Sequence, residues 1–553
     1  MDTQFTELQL TKLTKKDIVM MYLSLQQLAE SLTAQCKVQE KQLNEMNQKM
    51  DLLIEQMAIA QQKRFGRSTE KIDWEGQLEM LFNEAEVIIV DKYVIEPSLE
   101  EVCLGLEEDE PVKKRKPKQK GKRDADLGDL PIKVIEHTLS EAELRKRFGD
   151  TWRRLPDEVY KRLAFHPATF EVEEHHVAVY CGTDNETIVK AKRPASLLRN
   201  SIVTPSLEAA ILNSKYVNAI PLYRMEQEFK RNGVNLGRQI MANWTILCSE
   251  RYLSLLYDRL HKELLTYNVC QADETPVEVS KDGRSAGTKS YMWVYRTGKM
   301  YRENPIVLYN YQRTRHSTHP EEFLKGYRGA LVWDGYSAYH SMEKKVPEIT
   351  IAGCWSHARR PFATVVKALG KEKAKGTLAY DALKQIGVIF KLEKELAQLS
   401  AEDRLHQRQL TIQPLVEAFF AWVKSCRGEI LPQSETGKGF TYCINQEKYL
   451  RVFLSNGDVP LDNNATESTI RGFCIGRNNW KLIDTINGAQ ASAIIYSIAE
   501  TAKANNLKPY DYFKHLLEEI PKHMDDKNLD FLEDLLPWSP ALPETCRKPK
   551  QAE

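Results

Sequence analysis

The longest hydrophobic pattern in the chain is a heptad repeat. Stepping alternately by four and three from Ile18 meets Tyr22, Leu25, Ala29, Leu32, Cys36, Gln39, Leu43, Met46, Met50, Leu53, Met57 and Ala60, with no Pro or Gly between them. Gln39 is the one clearly polar seam residue, of the kind that sets register or strand number. The spacing predicts one long helix whose stripe closes against a partner as a coiled coil. A helix packed along its own chain would carry the same stripe. The basic run Lys63-Arg64-Phe65-Gly66-Arg67 ends it, with Gly66 as the stop.

Further on, a period of two replaces the heptad. Alternation over 169–180 predicts strands, in which the neighbours His175 and His176 face opposite sides and cannot share one metal. Asn268-Val269-Cys270-Gln271-Ala272 leads into Asp273-Glu274-Thr275-Pro276, a strand expected to end on a carboxylate. Residues 290–296 and 305–311 read as two more strands, 317–326 as a helix, and 329–333 as a buried strand ending on Asp334. A fifth strand over 349–355 precedes His357-Ala358-Arg359-Arg360. Three strands, a helix and two further strands is the order of an RNase-H-like sheet. Residues 360–455 lack alternation and read as a helical insertion.

Length and charge divide the chain further. At 553 residues it exceeds a single core, and 42% hydrophobic with 28% charged residues is the balance of a folded protein. Net charge is only +1, so any nucleic-acid surface must come from local segregation. Glu107-Glu108-Asp109-Glu110 precedes a Lys/Arg-rich run over 113–123 broken by Pro117 and Gly121, the pattern of a linker. Over 190–238, nine Lys/Arg face three Glu, a local net of +6. Thr204-Pro205 opens a helix there, with breaks at 218–221 and 232–233. Arg224, Lys230 and Arg231 around these breaks suit a helix-turn-helix DNA reader, and a basic surface bundle would look alike.

The expected units are 1–75 coiled coil, 76–130 charged linker, 131–189 small domain, 190–262 helical basic DNA-binding region, 263–500 catalytic domain and 501–553 C-terminal helical segment. Ten scattered cysteines without C-x-x-C argue against a disulfide framework and point to a reducing cytoplasm. No apolar run reaches the roughly 20 residues of a membrane helix, and no secretory signal pattern opens the chain.

Carboxylates carry the candidate chemistry. Two aspartates at neighbouring strand ends repel one another unless a cation lies between them. A pair of divalent ions relieves that repulsion and forms the clamp used for in-line phosphoryl displacement, and hard oxygen ligands select Mg2+ or Mn2+. The third carboxylate follows the insertion, in Leu461-Asp462-Asn463-Asn464-Ala465-Thr466-Glu467. Asp462 or Asn463 can cap a helix there, and Glu467 and Arg471 are four apart on one face. That pair reads either as a surface ion pair or as a metal-binding Glu beside a phosphate-binding Arg. Arg477 and Lys481 continue the basic side, with Trp480 placed to stack on a base.

Taken together, KRFGRSTEK (63–71), DETP (273–276), DGYSAY (334–339), CWSHARR (354–360), LDNNATESTIRGFCIGRNNW (461–480), AKANNLKPY (502–510) and LLPW (535–538) resemble the large DDE-type transposase of the bacterial insertion sequence 66 family. The resemblance covers roughly 20–75 and 190–540. It implies an RNase-H-like core with a helical insertion, and a catalytic triad of Asp273, Asp334 and Glu467 holding two Mg2+ or Mn2+ ions. It further implies cleavage at element ends followed by strand transfer into target double-stranded DNA. Arg359, Arg360 and Arg471 become phosphate-clamp candidates, and His357 either orients a reacting group or caps its helix. A homo-oligomer through the coiled coil, small accessory proteins of the same element and a cytoplasmic, nucleoid-associated location follow. The family's paired C-x-x-C zinc finger is missing, only Cys181 standing near it, so no structural zinc is expected. The other class these features allow is an inactive or repurposed DNA-binding and bridging protein.

Overall fold

The computed structural model describes residues 14–65, 142, 146, 169–181, 188–190, 196–285, 287–334, 343, 345–426 and 430–549. The linker 76–130, most of the small domain 131–189 and most of the DGYSAY motif lie outside them. Among the described residues no helix is long and apolar enough to cross a membrane.

The heptads form one 51-residue helix, α1 (Lys15–Phe65). Its seam stays open, with Leu25, Leu32, Met50, Leu53 and Met57 all more than half exposed. The strands expected over 169–180 shrink to β1 (Val179–Cys181), paired antiparallel with β2 (Ile188–Lys190). Val172, on the alternating stretch, is 94% exposed, so no core rewards its apolar face.

Thr204 opens the basic helical region as expected. Its side chain accepts the Leu207 N–H at the start of α2 (Pro205–Leu212), which continues through Val217. Then come α3 (Leu222–Arg231), α4 (Arg238–Cys248) and α5 (Ser254–Leu264). The turn after α3 passes through Gly233 at φ +80°, a conformation glycine adopts without a Cβ clash.

The main sheet consists of β3 (Val269–Lys281), β4 (Lys289–Thr297), β5 (Val307–Gln312), β6 (Gly329–Trp333) and β7 (Ile349–Gly353), in the order β5-β4-β3-β6-β7. The first three are antiparallel and the last two run parallel to β3; the short α6 (Thr318–Phe323) precedes β6. β8 (Ile483–Thr485) pairs with the far end of β3. One expectation is corrected here: β3 does not end on Asp273 but runs on through it and Pro276 to Lys281. Between its pairings with β6 (269–271) and β8 (279, 281), one edge of β3 has no strand partner among the described residues. A proline is tolerated on such an edge.

Helices follow: α7 (Trp355–Leu369), α8 (Leu378–Glu395), α9 (Gln413–Ser425), α10 (Glu435–Leu450), α11 (Asn464–Trp480), α12 (Ile486–Ala504) and α13 (Pro509–Glu519). Alternation along the inner strands divides the apolar side chains between two cores. Ala330, Val332 and Ala352 lie in one cluster with Trp355, Phe362, Phe419 and Phe440 of the insertion. Leu331, Trp333, Ile349 and Ile351 point the other way, into a cluster running from Leu197 to Leu542. The helical region 190–262 and the C-terminal segment 501–553, set apart by sequence, share that second core with the sheet.

Candidate functional site

Asp273 lies on β3 and Asp334 directly follows β6. The parallel register pairs Val269 with Ala330, Cys270 with Leu331 and Gln271 with Val332. Asp273 lies two residues beyond the last of these pairs on β3, Asp334 lies two residues beyond Val332, and the Asp334 charge acts on Asp273. Glu467 lies in the first turn of α11, which packs against β3. Burial raises the Asp273 carboxyl well above the usual carboxylate range, and the neighbouring charges of Glu274, Asp334 and Glu467 push it further. Its Oδ1 accepts the Glu274 N–H at 2.7 Å. Among the described residues, no three His, Cys, Asp or Glu side chains are drawn together closely enough to hold a metal ion.

The start of α11 is fastened to the sheet in a way the sequence reading missed. Asn463 occupies the cap position, but its side chain makes no capping bond to the helix backbone. Its Nδ2 instead donates to the Ala272 carbonyl at 2.9 Å, and its Oδ1 accepts from Gln271 Nε2 at 3.0 Å and from Thr466 Oγ1 at 2.8 Å. Asp462 turns onto the Asn464 N–H at 3.1 Å. A fully buried Asn with these partners ties the helix carrying Glu467 to the strand carrying Asp273. Arg296, on β4, adds a bond from Nη1 to the Ala465 carbonyl at 2.9 Å.

Glu467 is engaged across the site, on α7. Its Oε1 lies 3.4 Å from Arg360 Nη2 and 3.8 Å from His357 Nδ1. Burial, with the Arg360 charge beside it, lowers the His357 imidazole to about 3, so this contact is made by a neutral ring and is no ion pair. Arg359 is buried beside them. The spacing argument paired Glu467 with Arg471, yet the ion pair of Glu467 runs to Arg360 and Arg471 points to solvent. Helical spacing places two residues on one face but does not know what lies opposite.

The remaining basic candidates divide. Arg477 Nη1 donates to Thr275 Oγ1 at 2.9 Å and to the Pro276 carbonyl, so this guanidinium braces α11 on β3. Trp480 is half-buried, edge-on to Phe473 at 5.8 Å, and packs on the core instead of standing open to a base. Lys481 is exposed at the end of α11. On α3, Met225 and Phe229 face the core while Arg224, Lys230 and Arg231 are exposed. Lys230 and Arg231 stand 3.9 Å from Glu226 and Glu228. Sequence reading also missed Glu274, whose buried side chain pairs with Arg315. The DETP motif contained it, but nothing local distinguished it from Asp273.

Comparison with known families follows the same segments. The profile of the IS66 transposase family matches residues 200–491 and that of the IS66 C-terminal element matches 497–538. A third, described as the transposase C of IS166 homeodomain, matches 52–135. With more than half of it covered by the first profile, the chain belongs to the IS66 family of transposases. Similar proteins include two uncharacterized proteins of Sinorhizobium fredii. One, y4qI, is 28% identical over 388 residues, covering 68% of this chain and 70% of its own. The other, y4jD, is 27% identical over 395 residues, covering 70% and 76%. Family membership implies transposase function and supports DNA binding.

Proposed function

We propose that this chain is a DDE-type DNA transposase with an RNase-H-like catalytic core, a helical insertion and an N-terminal coiled coil. The observation that carries the reading is that Asp334, which follows the strand parallel to β3, and Glu467 both act electrostatically on the buried Asp273. The strand order, three antiparallel then two parallel, supports the core assignment. Asp273, Asp334 and Glu467 would hold divalent ions, Mg2+ or Mn2+ and two in number. Hard oxygen donors are the kind such ions take, and a cation would relieve the repulsion that Glu274, Asp334 and Glu467 add to the burial of Asp273. When bound, the ions supply an activated water and charge neutralisation at the phosphate.

The chain's own side chains do the rest. Arg360 holds Glu467 in place and lends positive charge beside it. His357, kept neutral, adds no positive charge that would compete with a metal ion for Glu467. The exposed Arg224, Lys230 and Arg231 hold the duplex by its backbone, and Arg471 and Lys481 extend the basic surface on the catalytic side. The products are a cut element end and, after attack by the freed 3′-hydroxyl, a joined target strand.

Asp273→Asn, Asp334→Asn and Glu467→Gln should each abolish Mg2+-dependent cleavage and strand transfer while leaving duplex affinity near wild type. A variant that cleaves at the normal rate removes its residue from the set. Full activity in all three would move the chemistry away from this site, whereas a wild-type chain that binds duplex without cutting it would be a DNA-bridging protein.

A further inference from the structure

The last turns of α1 lie against α7 and the start of α10. There Gln56, Ile59 and Ala60 share a shallow cleft with Ser434, Glu435 and Lys438. In it the Glu55 carboxylate accepts hydrogen bonds from Thr436 Oγ1 and from the Thr436 N–H at 3.5 Å. Ser434 already caps α10 through the Gly437 N–H at 2.9 Å. Glu55 therefore takes a second free donor of that first turn and places negative charge at its positive end. Half-burial raises the Glu55 carboxyl, as expected of a group enclosed by this contact.

That end of α10 has little freedom. A Cβ on Gly437 would stand 2.1 Å from the Leu431 carbonyl oxygen, and one on Gly439 would stand 2.6 Å from the Phe362 ring of α7. Two turns along α10, the Tyr442 hydroxyl donates to the backbone carbonyl of Asp334 at 2.9 Å. Near its end, the Leu450 carbonyl accepts from Trp355 Nε1 at 2.8 Å. One rigid helix thus touches α1 at its first turn and Asp334 two turns later.

We propose that Glu55, α10 and Tyr442 form one strut that carries the docking of α1 to the backbone at Asp334, with Glu55 and Tyr442 as positioning residues. The inference rests on the reading of Asp334 as a metal ligand. Glu55 follows Leu53 by two residues and Ile59 follows Met57 by two, about 200° around a helix. Glu55 therefore points away from the seam line of Leu53 and Met57, and the docked face meets the seam only at Ala60. A second copy pairing along the seam leaves Glu55 on the insertion and stiffens the helix that bears it. Pairing of two chains and order at Asp334 become linked.

The test uses the full chain and a duplex carrying the terminal sequence of its own element. Tyr442→Phe and Glu55→Ala should each raise the Mg2+ concentration for half-maximal cleavage by about threefold to tenfold, the worth of one hydrogen bond. Duplex affinity should stay unchanged. Glu55→Gln keeps an acceptor and should behave as wild type. Amide exchange at 436–438 should quicken in Glu55→Ala even without metal, while its mass by light scattering stays that of wild type. The double variant should lose no more than the larger single loss, since both residues act through one helix. Additive losses, a lowered mass for Glu55→Ala, or unchanged Mg2+ dependence in both single variants would overturn the strut. Glu467→Gln separates the two ideas: if inactive, the site reading stands whatever the strut does, and if active, the site reading itself fails.

Discussion

Glu208 shows how one side chain can set a pH dependence far from the candidate site. It lies on α2 with no exposed surface, and its Oε1 accepts from Thr245 Oγ1 at 3.1 Å while Oε2 has no hydrogen-bond partner. Burial raises its carboxyl from 4.5 to about 8, the Thr245 bond opposing only in part. The protonated form is the one that fits, so its contribution is fully present below pH 4.5 and is lost as pH rises through 8. Glu208→Gln should therefore raise stability at pH 7, by about 3 kcal/mol, and give no gain at pH 4. Thermal melts of both proteins at the two pH values check this, and an equal gain at both would mean the carboxyl is not buried as described. At the same scale, the placing of Asp273 and Asp334 on or next to a strand was legible, because strand periodicity is local. The partners of Glu467 were not, because Arg360 is 107 residues away in sequence.

Within the elements, the insertion is held by two buried arginines. Arg408 is fully buried, paired with Glu393, and donates to the Phe453 and Asn456 carbonyls at 2.8 and 2.9 Å. Arg404 reaches the Gly457 carbonyl at 2.7 Å. Together they join α8 to the turn that leads back towards α11. Arg408→Ala leaves Glu393 enclosed without its cation and should cost about 3–5 kcal/mol. Urea denaturation and limited proteolysis within 378–455 measure it. Replacing Arg408 and Glu393 together by Met and Leu should recover most of the loss. The helical character of this segment was legible from its lack of alternation. Its ion pairs were not, since charges within an amphipathic pattern read as solvated faces until a neighbouring helix covers them.

For the whole molecule, more than half of the exposed large hydrophobic side chains among the described residues lie on α1. Removing residues 1–62 should lower the number of chains per particle by light scattering, because heptads bury their seam only against another helix. An unchanged mass would mean the seam closes on its own chain. DNA should be held mainly by charge. Replacing Arg224, Lys230 and Arg231 with Gln should weaken binding to all duplexes. It should also reduce the salt slope of log K by about 0.9 for each phosphate no longer neutralised. Arg471→Ala should slow single-turnover cleavage more than it weakens binding. Equal losses in both sets would make them one surface with one role.

Short windows of the chain encode the long heptad helix, the five strands in order, the helical insertion, the Thr204 cap and the acidic residues beside strand runs. Side-chain direction repeats every two or 3.6 residues, so local periodicity and chemistry suffice to write these features. Whatever depends on which elements meet came instead from the folded arrangement. β3 runs on through Asp273 because β4 pairs along nearly all of it, a partner no window of β3 contains. Asn463 staples a strand in place of capping its helix because Ala272 and Gln271 lie within reach. Arg477 and Trp480 turn inward for the same reason: a basic or aromatic side chain is open to DNA only where no neighbouring element has already buried it.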